Sequence, residues 1–136
     1  MTQHARGPFE VKLTPQALAL EHAAGGARLG RMAIEKQYRG ELEASASGEM
    51  LSAMAPVQGS AGYVAIEKVS GTLGGRSGTF VLQHDATMTR GKPYLHVIVV
   101  PDSGTGELEG LSGSMNIVIE KDGAHFYELD YALPPS

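Results

Sequence analysis

The stretch YVAIEKVSGTLGGRSGTFVLQH, residues 63–84, decides the fold. Its simplest turn is Gly74-Gly75, because glycine takes the positive φ angles of a primed two-residue hairpin at no steric cost. Pairing Leu73 with Arg76 then sets Val69 opposite Phe80, Glu67 opposite Leu82 and Ala65 opposite His84. Phe80, Leu82, His84, Ala86 and Met88 form a mostly apolar row, whereas Thr79, Val81, Gln83, Asp85, Thr87 and Thr89 are mostly polar, so the first row faces inward. The same parity turns Tyr63, Ala65, Glu67 and Val69 inward, and a carboxylate and an imidazole become diagonal neighbours roughly 7 Å apart on an apolar face. A slip of one residue at the turn gives the other reading, in which Glu67 is an ordinary surface acid.

A second hairpin closes the chain. A two-residue Asp122-Gly123 loop would mix Met115, Ile117 and Ile119 with Glu128 and Asp130 on one face. A three-residue loop, Lys121-Asp122-Gly123, with Gly123 in the left-handed bulge position, pairs Ile119 with His125 and Ile117 with Tyr127 instead. The inner face is then Met115, Ile117, Ile119, His125, Tyr127, Leu129 and Tyr131.

Outward from these hairpins, period-two alternation predicts strands over residues 9–13, 30–38, 41–51, 62–72, 78–89, 94–100, 112–120 and 124–133. For residues 94–100 both Tyr94, His96, Ile98 and Leu95, Val97, Val99 make plausible inner rows. Thr14-Pro15 is a helix-start signal, and residues 15–27 support at most one short helix. Short connections force antiparallel neighbours, and a meander of eight strands leaves two open edges unless it closes. The expected fold is all-β, an eight-stranded antiparallel closed β-barrel, and 136 residues make it a single domain spanning 1–136.

Composition narrows the function. Fifteen acidic against eleven basic residues, a net charge of -4, lack the electrostatic footprint of a nucleic-acid binder. With no Cys there is no disulfide framework, thiolate metal site or Cys nucleophile. No apolar run is long enough to span a membrane, and the start MTQHARGPFE has no signal-type apolar core, so a soluble cytoplasmic protein is expected. The five His residues show no metal-ligand spacing, and no metal or cofactor is expected. Asp102-Ser103-Gly104-Thr105-Gly106 is explained by a turn, and no Ser has the GxSxG spacing of a nucleophile elbow.

Glu67 and His84 remain as the candidate acid-base pair, since burial raises a carboxylate pKa, a neighbouring imidazolium lowers it, and such perturbed pairs mark functional sites. As a purely structural carboxylate, Glu67 would instead be satisfied by the Tyr63 or Tyr127 hydroxyl, and its loss would change stability by roughly 1 kcal/mol. Tyr63, Phe80, Leu82, Met115, Ile117, Tyr127 and Tyr131 are the candidate ligand-binding residues. An eight-stranded lumen is just wide enough for one small ligand or for the side chains that fill it.

The run GYVAIEKVSGTLGGRSGTFVLQHDATMTRG, the segment VVPDSGTGELEGLSGSM and the closing HFYELDYALP resemble a family of small bacterial proteins, domain of unknown function 3224. FEVKLTP and GRMAIEKQYRGELEASASGEML fit as well, so the resemblance covers nearly the whole chain. It implies an allene-oxide-cyclase-like barrel, a homo-oligomer and a ligand-sized lumen, but no activity. The recurring residues as matched here are Tyr63, Glu67, Gly78, Phe80, His84, Gly104, Gly106, Leu108, Gly113, Tyr127 and Tyr131.

Two functions follow. The first is a barrel that binds a small apolar or aromatic molecule. The second is an isomerase or cyclase acting on a small unsaturated substrate, with Glu67 and His84 moving a proton. Outward-pointing Val64, Ile66, Val81, Val118 and Phe126 predict self-association, first as an isologous dimer, the commonest symmetry, with the trimer second as what the resemblance to the cyclase-like barrels implies.

Overall fold

The computed structural model describes residues 2–19 and 25–135. Its strands are β1 (Gln3–Gln16), β2 (Arg28–Tyr38), β3 (Leu42–Met54), β4 (Ala61–Leu73), β5 (Arg76–Thr89), β6 (Lys92–Val99), β7 (Ser112–Ile119) and β8 (His125–Ala132). Each pairs antiparallel with its sequence neighbour, and β1 pairs with β8, so the sheet closes into a barrel. Residues 15–27, which support at most one short helix, show none where they are described: Pro15 and Gln16 belong to β1, pairing with Met32 and Arg31, and residues 20–24 lie outside the described residues. A proline at an edge position costs the ladder nothing, so the alternation of β1 carries through it.

Both hairpin registers hold. Leu73 faces Arg76, Glu67 faces Leu82 and Ala65 faces His84, with Gly74 and Gly75 at φ +57° and +85°. Ile119 faces His125 and Ile117 faces Tyr127 across a loop in which Gly123 has φ +90° and Glu120 bonds the Ala124 carbonyl at 2.8 Å. On β6 the inner row is Leu95, Val97 and Val99, since Val97 and Val99 are buried and Tyr94 is exposed.

The barrel has two unlike halves. In the closed half, Tyr38, Leu42, Val69, Leu73, Phe80, Leu82, Met115, Tyr127 and Leu129 interlock into the core. The loop between β6 and β7 covers this end with Leu108 and Leu111 and takes over the part of β5 that β6 leaves unpaired. There the Thr105 and Ser103 hydroxyls accept from the Thr79 and Val81 amides, at 3.0 and 3.1 Å, so the Asp102–Gly106 segment works as a turn.

In the other half the strands diverge. β1 beyond Phe9 pairs with β2 alone, and β6 meets β7 only at Val97–Met115 and Ile98–Ser114. Among the described residues this leaves open the edges Glu10–Gln16 of β1, Lys92–His96 of β6 and Asn116–Ile119 of β7. The first two each carry a lysine and a proline, Lys12 with Pro15 and Lys92 with Pro93, which discourage a further strand from adding.

Gly48, opposite Glu67, allows β3 and β4 to approach closely: a Cβ there would run into the Ile66 carbonyl and the Glu67 backbone. Gly48→Ala must displace one strand and should lower stability by about 1–3 kcal/mol, as overpacking does elsewhere. Urea unfolding tests this, and a midpoint equal to the parent's would contradict the close approach.

Candidate functional site

Three strands send polar side chains to one level of the interior. β2 alternates Met32, Ile34, Lys36 and Tyr38 toward the lumen, β4 supplies Tyr63 and Glu67, and β5 supplies His84. Glu67 is 0% exposed, His84 3% and Lys36 9%, so the cluster is cut off from bulk water. Lys36 Nζ donates to Glu67 Oε2 at 2.8 Å and His84 Nε2 to the same oxygen at 2.6 Å, while the Tyr38 hydroxyl donates to Oε1. With Glu67 ionised and acceptor-only, Nε2 must carry the proton it shares. His84 Nδ1 lies 3.4 Å from the Tyr63 hydroxyl, extending the chain to Tyr63–His84–Glu67. Lys36 Nζ also sits 5.2 Å from the Phe9 ring centroid and 5.7 Å from that of Tyr38, which offsets part of its lost hydration by cation–π attraction. Among the described residues every fully buried side-chain nitrogen and oxygen has a partner.

The electrostatics follow from this geometry. Burial alone would raise the Glu67 pKa, but the His84 bond and the Lys36 charge outweigh it and hold the carboxyl down at about 2. Burial, reinforced by the adjacent carboxylate, pushes the Tyr38 hydroxyl well above its ordinary value and raises that of Tyr63. A carboxylate this acidic, already accepting three bonds, is a weak proton acceptor near neutral pH and a strong anchor for the groups around it.

Above the cluster, in the diverging half, lies a cavity of about 300 Å³. Lys36, Tyr63, Ala65 and His84 lie on its cluster side, and Phe9, Val11, Leu13, Ile34, Met50, Ile117, Ile119 and His125 supply the rest of its lining. Of the residues singled out in the sequence, Glu67 and His84 meet in the cluster, and Tyr63 and Ile117 line the cavity. Phe80, Leu82, Met115, Tyr127 and Tyr131 do not line it, because they fill the closed half. The Tyr127 hydroxyl is occupied there, donating to the Arg39 carbonyl at 2.8 Å and accepting from the Leu42 amide at 3.0 Å; that of Tyr131 donates to Gln3 at 3.2 Å. Neither Tyr63 nor Tyr127 bonds Glu67, whose hydroxyl partner is Tyr38. Lys36 and Tyr38 are the members that hairpin parity missed. The signal was the β2 alternation, which sets Lys36 between Ile34 and Tyr38 on one face.

Fold and cluster together define a closed eight-stranded β-barrel with an ion pair buried beneath an end cavity. The chain belongs to the family described as protein of unknown function (DUF3224), whose model matches residues 5–131. It is similar to a protein of unknown function of the same family from Shewanella oneidensis MR-1, known from a crystal structure, with 54% identity, a TM-score of 0.94 and 100% of both chains covered. Among the curated proteins none matches. Among the described residues, no helix is long and apolar enough to cross a membrane.

Proposed function

We propose that the barrel binds one small apolar or aromatic molecule in the cavity above the Glu67 cluster. The observation that carries this reading is the composition of that cavity, an aliphatic and aromatic lining with the Tyr63 hydroxyl, the His84 ring and the Lys36 ammonium on one side. Ligand pockets have this build, apolar walls with a few convergent polar groups, and about 300 Å³ is at their small end. The apolar body of the ligand packs against Phe9, Val11, Ile34 and Ile117, and its polar end meets Tyr63 and Lys36. Glu67 holds Lys36 and His84 in position and does not itself touch the ligand.

The test uses 2-naphthol as a probe, followed by its own fluorescence, beside native mass spectrometry of the purified protein for carried-over ligands. The parent should bind the probe. Ala65→Leu, which fills the cavity, should abolish binding, and Tyr63→Phe should weaken it about tenfold through one lost hydrogen bond. Equal binding by parent and Ala65→Leu, or no binding by the parent and no carried-over molecule, rejects the reading.

The Tyr63–His84–Glu67 chain favours one second reading, an isomerase or cyclase in which the cavity folds an unsaturated substrate and His84 moves the proton while Glu67 orients the ring. In that case His84→Phe lowers turnover of an identified ligand by about 10²-fold or more, with little change in its affinity.

A further inference from the structure

The outer face of β2–β5 carries a row of side chains whose order matters. By register, Arg31 pairs with Leu51, Leu51 with Val64, and Val64 with Asp85. One continuous cross-strand row therefore runs from a cation through two apolar residues to an anion. Leu51 and Val64 are 52% and 53% exposed, and Ile66 beside them is 49% exposed. The row forms part of a groove of about 550 Å³ whose lining includes Arg31, Glu49, Leu51, Val64, Ile66 and Asp85. Among the described residues Asp85 forms no ion pair, whereas Arg31 pairs with Glu49 and donates through Nη1 to the Ala17 carbonyl at 3.0 Å. A guanidinium has five N–H donors, so Arg31 has some left.

We propose that this face is the interface of a two-fold dimer, and that its occupant is a second copy of the same chain. Charge order selects the geometry. A two-fold axis along the strands, passing between Leu51 and Val64, reverses the row, laying Leu51 over the partner's Val64 and Arg31 over the partner's Asp85. A two-fold axis along the row instead stacks Arg31 on Arg31 and Asp85 on Asp85. The first arrangement meets its own image with opposite charges at both ends and apolar residues between, as an isologous contact requires. It also gives each copy of Asp85 a cation.

Sedimentation and light scattering of the full chain at micromolar concentration should give a dimer. Asp85→Arg puts like charges together at two places per dimer and should weaken association at least ~100-fold. Arg31→Asp should do the same, and the double variant Arg31→Asp/Asp85→Arg, which restores opposite charges, should re-form the dimer. Val64→Lys, at an exposed position, tests the apolar centre without depending on either charge, and should yield monomers with the parent's circular dichroism. A monomeric or trimeric parent overturns the proposal. So does a dimer that survives Asp85→Arg and Val64→Lys unchanged.

Discussion

Glu67→Gln should destabilise the fold by about 3–5 kcal/mol, the range found when one partner of a buried ion pair is removed. The substitution keeps the volume and most of the hydrogen-bonding capacity, so what it removes is charge. Lys36, whose side chain is 6% exposed, then has no counter-ion and must either stay charged away from water or give up its proton. A carboxylate held by neutral donors alone would cost roughly 1 kcal/mol, and the difference is due to Lys36. Urea unfolding of the variant measures it. The double variant Lys36→Met/Glu67→Gln should recover most of the loss, because an apolar replacement for both charges leaves neither stranded. A loss below about 1 kcal/mol for Glu67→Gln alone would mean that the ion pair does not form in solution.

Acid should erase the same stabilisation, over a window set by Glu67 itself. Its carboxyl titrates at about 2 in the folded chain, below an ordinary value of 4.5. Between those values the unfolded chain binds the proton more readily than the fold does, so stability falls as pH falls. The contribution is complete above about 4.5 and is lost as pH drops through about 2. In paired urea titrations, the gap between parent and Glu67→Gln should be widest near neutral pH and narrow steadily below 4.5. A gap of constant size down to the acid limit of the fold would show that the carboxylate charge is not its source.

The strand pairing was legible because burying one face fixes register. Gly74-Gly75 and Gly123 pinned two hairpins, and the parity they imposed carried Glu67 and His84 to the same interior, where their side chains bond. The cluster around them was less legible. Lys36 lies in the inner row of β2, but a lysine there reads as an exception until the lumen shows its partner, and that partner comes from β4, two strands away. The division between packed core and cavity was not legible at all. Met115 and Ile117 are alternate residues of one strand face; one is buried in the closed half and the other lines the cavity. What separates them is the unequal length of the strands, 14 residues in β1 and β5 against 8 in β7 and β8, which opens the wall on one side. Local periodicity contains no measure of where a neighbouring strand stops.

The pairing of β1 with β8 has a kinetic meaning. The Tyr131 hydroxyl reaches Gln3 across 128 positions of sequence, and the ladder between these strands runs from Gln3–Tyr131 to Phe9–His125. Contacts so remote in sequence form only after a long loop-closure entropy has been overcome, so the seven hairpin-linked pairings can zip up locally while the ring waits. During translation the wait is enforced. Until β8 leaves the ribosome, β1 lacks one ladder partner and β7 lacks its stronger one, and the nascent chain carries bare strand edges along Gln3–Phe9 and Ser112–Ile119 that the finished ring pairs. The interval before β8 appears is therefore when this chain leaves the most strand backbone unpaired.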